Sequence, residues 1–166
     1  GMEFGIDCDL TLKLTEELRS LTQRLLIIKL SPNVTDIAAI AISAEEGGAD
    51  AVSAINTIVG MSIDVHSRKS NVFTKYAGLS GPAIRPIGIA SVYKVFRAIK
   101  IPVIGIGGIT NGTDVLEYML AGALAVQVGT SNYSDPGIAI SIIDDLNSYI
   151  EKNNFDTLTD LVGEVL

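Results

Sequence analysis

Two short aliphatic runs constrain the fold of this chain more than any other feature. Ile101-Pro102-Val103-Ile104-Gly105-Ile106-Gly107-Gly108-Ile109 reads as a β-branched strand that ends in glycine. One predicted helix later, Ala125-Val126-Gln127-Val128-Gly129-Thr130 repeats the pattern, and a helix-like segment follows it too. β-Branched residues suit a buried pleated strand. Terminal glycines let the backbone approach a ligand that a Cβ would keep away. Two neighbouring strands of this kind make a cup in which N–H groups and a helix N-terminus hold an anion such as phosphate. In a (β/α)8 barrel, the loops after the last two strands meet in this way.

The rest of the chain extends that α/β pattern. Of its 166 residues 48% are hydrophobic but only 5% aromatic, so Ile, Val, Leu and Ala must fill the core. Such aliphatic strands are typical of parallel sheets covered by helices. Helical periodicity predicts a helix over 8–23, with Leu10, Leu14, Leu18 and Leu21 as its apolar face. A buried strand is expected at 25–30, closed by Ser31-Pro32-Asn33, and then a helix at 34–46 capped by Gly47-Gly48. A strand at 51–55 leads into Asn56-Thr57, and a long connection over 58–85 precedes a helix at 86–99. Connections of that length inside a compact domain are usually functional. Strand 102–106, helix 112–121, strand 124–128 and helix 137–152 complete the series.

Repeated strand–helix units imply parallel strands joined by right-handed crossovers. A closed barrel needs eight strands and typically about 250 residues. The chain is therefore expected to be one partial domain, residues 1–166, forming the C-terminal half of a (β/α)8 TIM barrel with the N-terminal half absent.

Charge and composition exclude several classes of function. A net charge of −7 is the opposite of a nucleic-acid footprint, which needs clustered Lys and Arg. No apolar run approaches the roughly 18 residues of a membrane span. The first seven residues, Gly1-Met2-Glu3-Phe4-Gly5-Ile6-Asp7, lack the basic start and apolar core of a signal peptide. The single Cys8 forms no internal disulfide, which fits a reducing cytoplasm.

Lys29 is the sharpest single residue, because it interrupts an otherwise aliphatic strand. At the C-terminal end of a barrel strand its ammonium faces the active-site mouth, where an anion offsets its desolvation. The competing reading is an edge-strand lysine whose stem lies on the core while its head reaches water. Asn56 and Thr57 follow a strand directly and suit recognition of an amide- or carboxylate-bearing ring. They equally suit the start of a turn or a helix cap. Gly78-Leu79-Ser80-Gly81-Pro82 is either an ordinary turn or a loop bringing backbone against a flat ligand. Gly107-Gly108 alone fits any tight strand–helix turn. Gly129, with the hydroxyls of Thr130 and Ser131, makes it half of a pair. His66, the only histidine, sits in a polar run read as a surface loop and makes no metal site on its own. Cys8 reads as a helix-start residue, and Glu45-Glu46 and Asp144-Asp145 as solvated helix faces.

Taken in order, these motifs resemble the C-terminal half of a dihydroorotate dehydrogenase of the class 1B type. That type is the catalytic subunit working with an iron–sulfur flavoprotein. The resemblance is carried by the first seven residues, Ile28-Lys29-Leu30-Ser31-Pro32-Asn33, Ile55-Asn56-Thr57 and Gly60-Met61-Ser62-Ile63-Asp64. It continues through Gly78-Leu79-Ser80-Gly81-Pro82-Ala83-Ile84 and the two glycine strands. It favours Gly1-Met2 as native sequence over a tag remnant.

The resemblance implies an FMN-containing barrel that oxidises dihydroorotate to orotate in pyrimidine synthesis. It implies that Lys29 lies near N1 and O2 of the flavin. Gly107, Gly108, Gly129 and Thr130 would hold the FMN phosphate, and Ile55 and Gly81 would make further FMN contacts. Asn56 and Thr57 would contact the pyrimidine. An iron–sulfur FAD electron-transfer subunit and a homo-oligomeric assembly are also implied, with no nucleic acid and no membrane.

The departures matter as much. The family's general base is a cysteine in a Cys-Pro-Asn motif upstream of the segment matching Gly1-Met2, and Cys8 lies on the wrong side to replace it. The resemblance thus assigns no catalytic residue to this chain and predicts no turnover by the isolated polypeptide. A second lysine and an asparagine-bearing substrate loop are missing as well. Val59 stands where many relatives have lysine, and Tyr76-Ala77 also departs from the pattern. Two alternatives remain: another FMN barrel acting on pyrimidine rings, such as the matching domain of dihydropyrimidine dehydrogenase, or a non-catalytic half-barrel that binds flavin or phosphate.

Overall fold

Asp7 starts the first helix: its carboxylate accepts from the Leu10 amide at 2.9 Å and satisfies one of the free N–H groups of the first turn. The computed structural model describes residues 4–165. Gly1, Met2 and Glu3, part of the motif at the start of the chain, lie outside the described residues. A short 3-10 turn, Phe4–Ile6, precedes helix α1 (Cys8–Leu21), strand β1 (Ile27–Leu30), helix α2 (Ile37–Glu46) and strand β2 (Ala51–Ala54). Four short strands come after β2: β3 (Ile58–Gly60), β4 (Ile63–Asp64), β5 (Lys69–Ser70) and β6 (Ala77–Leu79). Helix α3 (Arg85–Phe96), strand β7 (Val103–Ile106), helix α4 (Gly112–Leu120) and strand β8 (Ala123–Gln127) come next. Helices α5 (Ser131–Ser134) and α6 (Ile138–Asn153) and a last 3-10 turn, Leu158–Leu161, end the series.

The main sheet has four strands in the order β1-β2-β7-β8, every pair parallel. Helices connect them, as parallel pairing requires. All four strands point their C-terminal ends the same way, and that end carries the site. Leu30, Val52, Val92, Val103 and Tyr118 are essentially sealed from solvent and form the centre of the core between sheet and helices. No helix among the described residues is long and apolar enough to cross a membrane.

Two expectations from the sequence are corrected. The leucine stripe of α1 does not face the core: Leu10, Leu14 and Leu18 are 37–42% exposed and Leu21 82%. Thr11 and Thr15 face inward instead, and Thr15 satisfies its hydroxyl on the Thr11 carbonyl at 2.7 Å. Helix α1 comes so close to the end of α2 that a Cβ on Gly47 would sit 2.6 Å from that of Thr15. Only small side chains fit between them. Strand β1 is likewise not buried on both faces, because it is the sheet edge, with Leu25 72% and Ile27 37% exposed. The 58–85 connection carries short strands of its own: β3 pairs with β6 and β4 with β5 as antiparallel ribbons. His66 is exposed in the turn between β4 and β5, as expected. Glu45 is more than a solvated helix face, since its carboxylate accepts from the amides of Lys100 (2.7 Å) and Ile101 (3.0 Å) and fixes the entry to β7.

Asp50 performs a similar service beside β1. It accepts from the Leu26 amide at 2.7 Å and pairs with the Arg19 guanidinium at 2.8 Å. The amide bond, then the guanidinium, hold its carboxyl below the ordinary 3.8. A depressed folded-state value contributes stability that is complete above the unfolded value and lost as pH falls through the folded one. Melting curves of Asp50→Asn should therefore be flatter with pH below 3.8 than those of the native chain. Superimposable acid profiles would show that the Asp50 contacts contribute nothing.

Candidate functional site

At the C-terminal ends of the four parallel strands, the loops enclose a cleft of about 140 Å³. It is lined by all nine residues singled out from the sequence: Lys29, Ile55, Asn56, Thr57, Gly81, Gly107, Gly108, Gly129 and Thr130. Ser80, Ile84 and Ile106 complete the lining. A larger hollow of about 240 Å³ lies under the ribbons, but no charged side chain lines it. A small polar cleft at the strand ends is the better candidate, because convergent polar groups rather than volume define a specific site.

Each wall has a local cause. Lys29 is the penultimate residue of β1, the edge strand, and is exposed, as the edge-strand reading expects, and it also lines the cleft. Ile55 and Asn56 prolong the sheet beyond β2: the Ile55 amide donates to the Ile106 carbonyl and the Asn56 amide to the Leu30 carbonyl, both at 2.9 Å. These bonds carry Asn56 and Thr57 to the mouth of the cleft. The Asn33 side chain then clamps the start of β3, donating to the Thr57 carbonyl at 3.0 Å and accepting from the Val59 amide at 2.9 Å. Gly78 packs flat on Thr57, whose side chain a Cβ would overlap.

The glycine walls meet opposite. Gly81, Gly107 and Gly108 have φ of +88°, +131° and +69°, which L side chains rarely adopt. A Cβ on Gly108 would lie 2.7 Å from the Gly81 carbonyl oxygen, so the two loops touch backbone to backbone. By contrast, nothing lies within 4 Å of a Cβ built on Gly129, which opens to solvent. The Thr130 hydroxyl donates to that of Ser80 at 2.9 Å and ties the loop after β8 to the Gly81 loop. Among the described residues, no acceptor takes the N–H of Gly108, Gly129 or Thr130. Unpaired donors on two facing loops are what an anion-binding cup requires.

Several supporting residues escaped the sequence reading. Tyr118 is fully buried, and its hydroxyl donates to the Gly107 carbonyl at 2.8 Å. Burial holds that hydroxyl well above the usual tyrosine range, so it stays a donor. Ser131, already read with Thr130 as a hydroxyl donor, gives its hydroxyl to the Ile109 carbonyl at 2.6 Å. Asp145, read as solvated, accepts from the Gly112 amide at 2.9 Å. Asp114 is buried and ion-paired with Arg85. One signal was legible: Asn111 with an acidic residue three positions on is a capping-box spacing, and the Asn111 side chain does accept from the Asp114 amide at 3.0 Å. No group of three or more His, Cys, Asp or Glu side chains is arranged to hold a metal among the described residues.

Comparison with known proteins adds a family to this geometry. A family model described as dihydroorotate dehydrogenase matches residues 1–150. A Thermoanaerobacter sp. protein described as dihydroorotate dehydrogenase B (NAD(+)), catalytic subunit, is 47% identical over 165 residues, covering 99% of this chain and 55% of its own length. The protein of the same description from Bacteroides fragilis is 45% identical over 163 residues, covering 98% of this chain and 54% of its own. Among solved structures, Eimeria tenella DHODH in complex with ferulenol superposes with a TM-score of 0.76 at 26% identity, over 95% of this chain and 48% of that one. The chain spans about half the length of the curated relatives it matches. The parallel strands and alternating helices are thus the C-terminal half of a TIM barrel.

Proposed function

The chain belongs to the dihydroorotate dehydrogenase family, and we propose that it forms the flavin-holding half of an FMN-dependent enzyme that oxidises dihydroorotate to orotate. One observation carries the proposal: the cleft combines a side-chain-free backbone cradle with a single cation, Lys29, among its lining residues. The cradle fits the phosphate of FMN because side chains on Gly81 or Gly108 would distort it and the amides of Gly108, Gly129 and Thr130 are free to donate. Ile55 and Gly81 line the same cleft as the cup and Lys29. FMN, when bound, supplies the acceptor for the two electrons that leave the substrate as hydride. Lys29 would supply the positive charge that offsets the negative charge developing on that acceptor. Asn56 and Thr57 present an amide and a hydroxyl to the polar edges of the pyrimidine.

The lining includes no Cys, His, Asp or Glu. The family resemblance assigns the proton acceptor to a cysteine motif that these lining residues do not include, and the isolated chain is expected not to turn over. The relatives are described as catalytic subunits, which implies a partner subunit. For this chain the partner is proposed to be an iron–sulfur FAD electron-transfer protein, acting with a homo-oligomer in the cytoplasm.

Flavin titration tests the reading. FMN should bind at least about tenfold more tightly than riboflavin, which lacks the phosphate but keeps the ring, since charge-assisted hydrogen bonds dominate the difference. Equal affinities would remove the cup from the flavin site. Dihydroorotate oxidation by the chain alone would place a proton acceptor within it.

A further inference from the structure

We propose that Asp114 is a positioning residue of the cup, acting through Thr110 and Arg85 to hold the two glycine loops at the spacing an FMN phosphate needs. The inference rests on the flavin reading above. Asp114 is only 2% exposed, yet it carries a carboxylate. One oxygen accepts from both the amide and the hydroxyl of Thr110, at 2.8 and 2.7 Å, and the other pairs with the Arg85 guanidinium. Thr110 belongs to the loop that begins with Gly107-Gly108. Arg85 opens α3, directly after the turn that contains Gly81. A single buried side chain therefore grips both loops.

The packing shows why the grip matters. A Cβ on Gly108 would lie 2.9 Å from the Arg85 Cβ and 3.0 Å from its backbone nitrogen, so the loops already meet at the limit of approach. Separating them by a fraction of an ångström moves the free amide of Gly108 away from those of Gly129 and Thr130. Arg85 has a second anion beside it, Glu117, whose Oε2 lies 3.1 Å from its Nε. An arginine next to a phosphate cup ordinarily reads as a direct ligand, but here two carboxylates already occupy its charge. The phosphate is left to neutral amides, and Arg85 serves the cup by tying α3 to α4. A buried ion pair adds little net stability over a well-packed apolar pair, and where such pairs persist, geometric specificity is one use for them.

The test compares Asp114→Asn, Arg85→Met and the double variant in the full chain. The readouts are FMN affinity, riboflavin affinity and amide hydrogen exchange without ligand. Asp114→Asn should weaken FMN about 30-fold and leave riboflavin within about twofold, the scale set by losing hydrogen bonds to a charged group. Exchange at the Thr110 amide, which Asp114 accepts, should rise at least about tenfold while the strand amides of β1 and β2 stay protected. The double variant should be no worse than the poorer single one, because both act through one pair. Parallel losses for FMN and riboflavin, or exchange rising across the whole sheet, would make Asp114 a general stabiliser and overturn the proposal. Unchanged affinity and unchanged exchange would overturn it too. If the native chain does not prefer FMN to riboflavin, the flavin reading fails, and the exchange pattern alone decides the role of Asp114. Should Asp114→Asn fail to fold, Arg85→Met decides by the same readouts.

Discussion

Replacing Gly108 by alanine is expected to abolish selective FMN binding and to lower the stability of the chain by about 2–4 kcal/mol. Part of that cost is local, since a left-handed φ of +69° is unfavourable for any residue with a Cβ, by about 1 kcal/mol. The rest is steric. The new methyl would meet the Gly81 carbonyl oxygen at 2.7 Å and the Arg85 backbone nitrogen at 3.0 Å, and neither is the movable end of a side chain. Overpacking of this kind costs about 1–3 kcal/mol. Relief requires the loops to part, and parting them dismantles the cup. Gly129→Ala provides the contrast, because nothing lies within 4 Å of its Cβ position. That variant should melt within about 0.5 kcal/mol of the native chain while losing FMN affinity if the phosphate fills the open space. Thermal melts with FMN titrations separate the two cases. A Gly108→Ala chain with native melting and native FMN affinity would remove the backbone contact as the reason for glycine there.

The contrast between these glycines also shows what the sequence can and cannot carry. The nine cleft residues come together because each follows the C-terminal end of a parallel strand, and in an α/β sheet those ends converge. Strand order and handedness do that work, and both derive from alternating strands and helices. Glycine at 108 and 129 reads identically in the sequence, yet one is demanded by a facing carbonyl and the other by nothing in the fold. The leucine stripe of α1 misled for a related reason. Periodicity shows that a face is apolar but not which surface covers it; the inward face of α1 carries Thr11 and Thr15, and at Gly47 the approach leaves room only for a side chain as small as Thr15. Glu45 was invisible because its acceptor role depends on amides 55 and 56 residues away. Buried polar side chains such as Asp114 and Tyr118 leave no periodic trace, since their partners are set by packing between elements.

Tyr118 gives the second large effect, and its two variants should separate packing from hydrogen bonding. Its ring fills a slot left by glycines: a Cβ on Gly105 would lie 2.5 Å from the ring Cδ1, and one on Gly88 would overlap the hydroxyl. The α3–β7–α4 junction is therefore built around this one side chain. Tyr118→Ala should cost about 4 kcal/mol, the usual loss for emptying an aromatic-sized space in a core, and should end flavin binding because Gly107 loses its backing. Tyr118→Phe keeps the ring and removes only the donor to Gly107, and to Ile106 at 3.3 Å. A buried carbonyl left without its donor costs about 1–2 kcal/mol, so this variant should fold and melt lower. FMN affinity should fall while riboflavin affinity holds, since the freed carbonyl belongs to the phosphate cup rather than to the ring wall. The loss should also be independent of pH across the folded range, because burial keeps the native hydroxyl protonated there. A Tyr118→Phe chain that matches the native one in both melting and FMN affinity would show that Gly88 and Gly105 accommodate a ring and not a hydrogen bond.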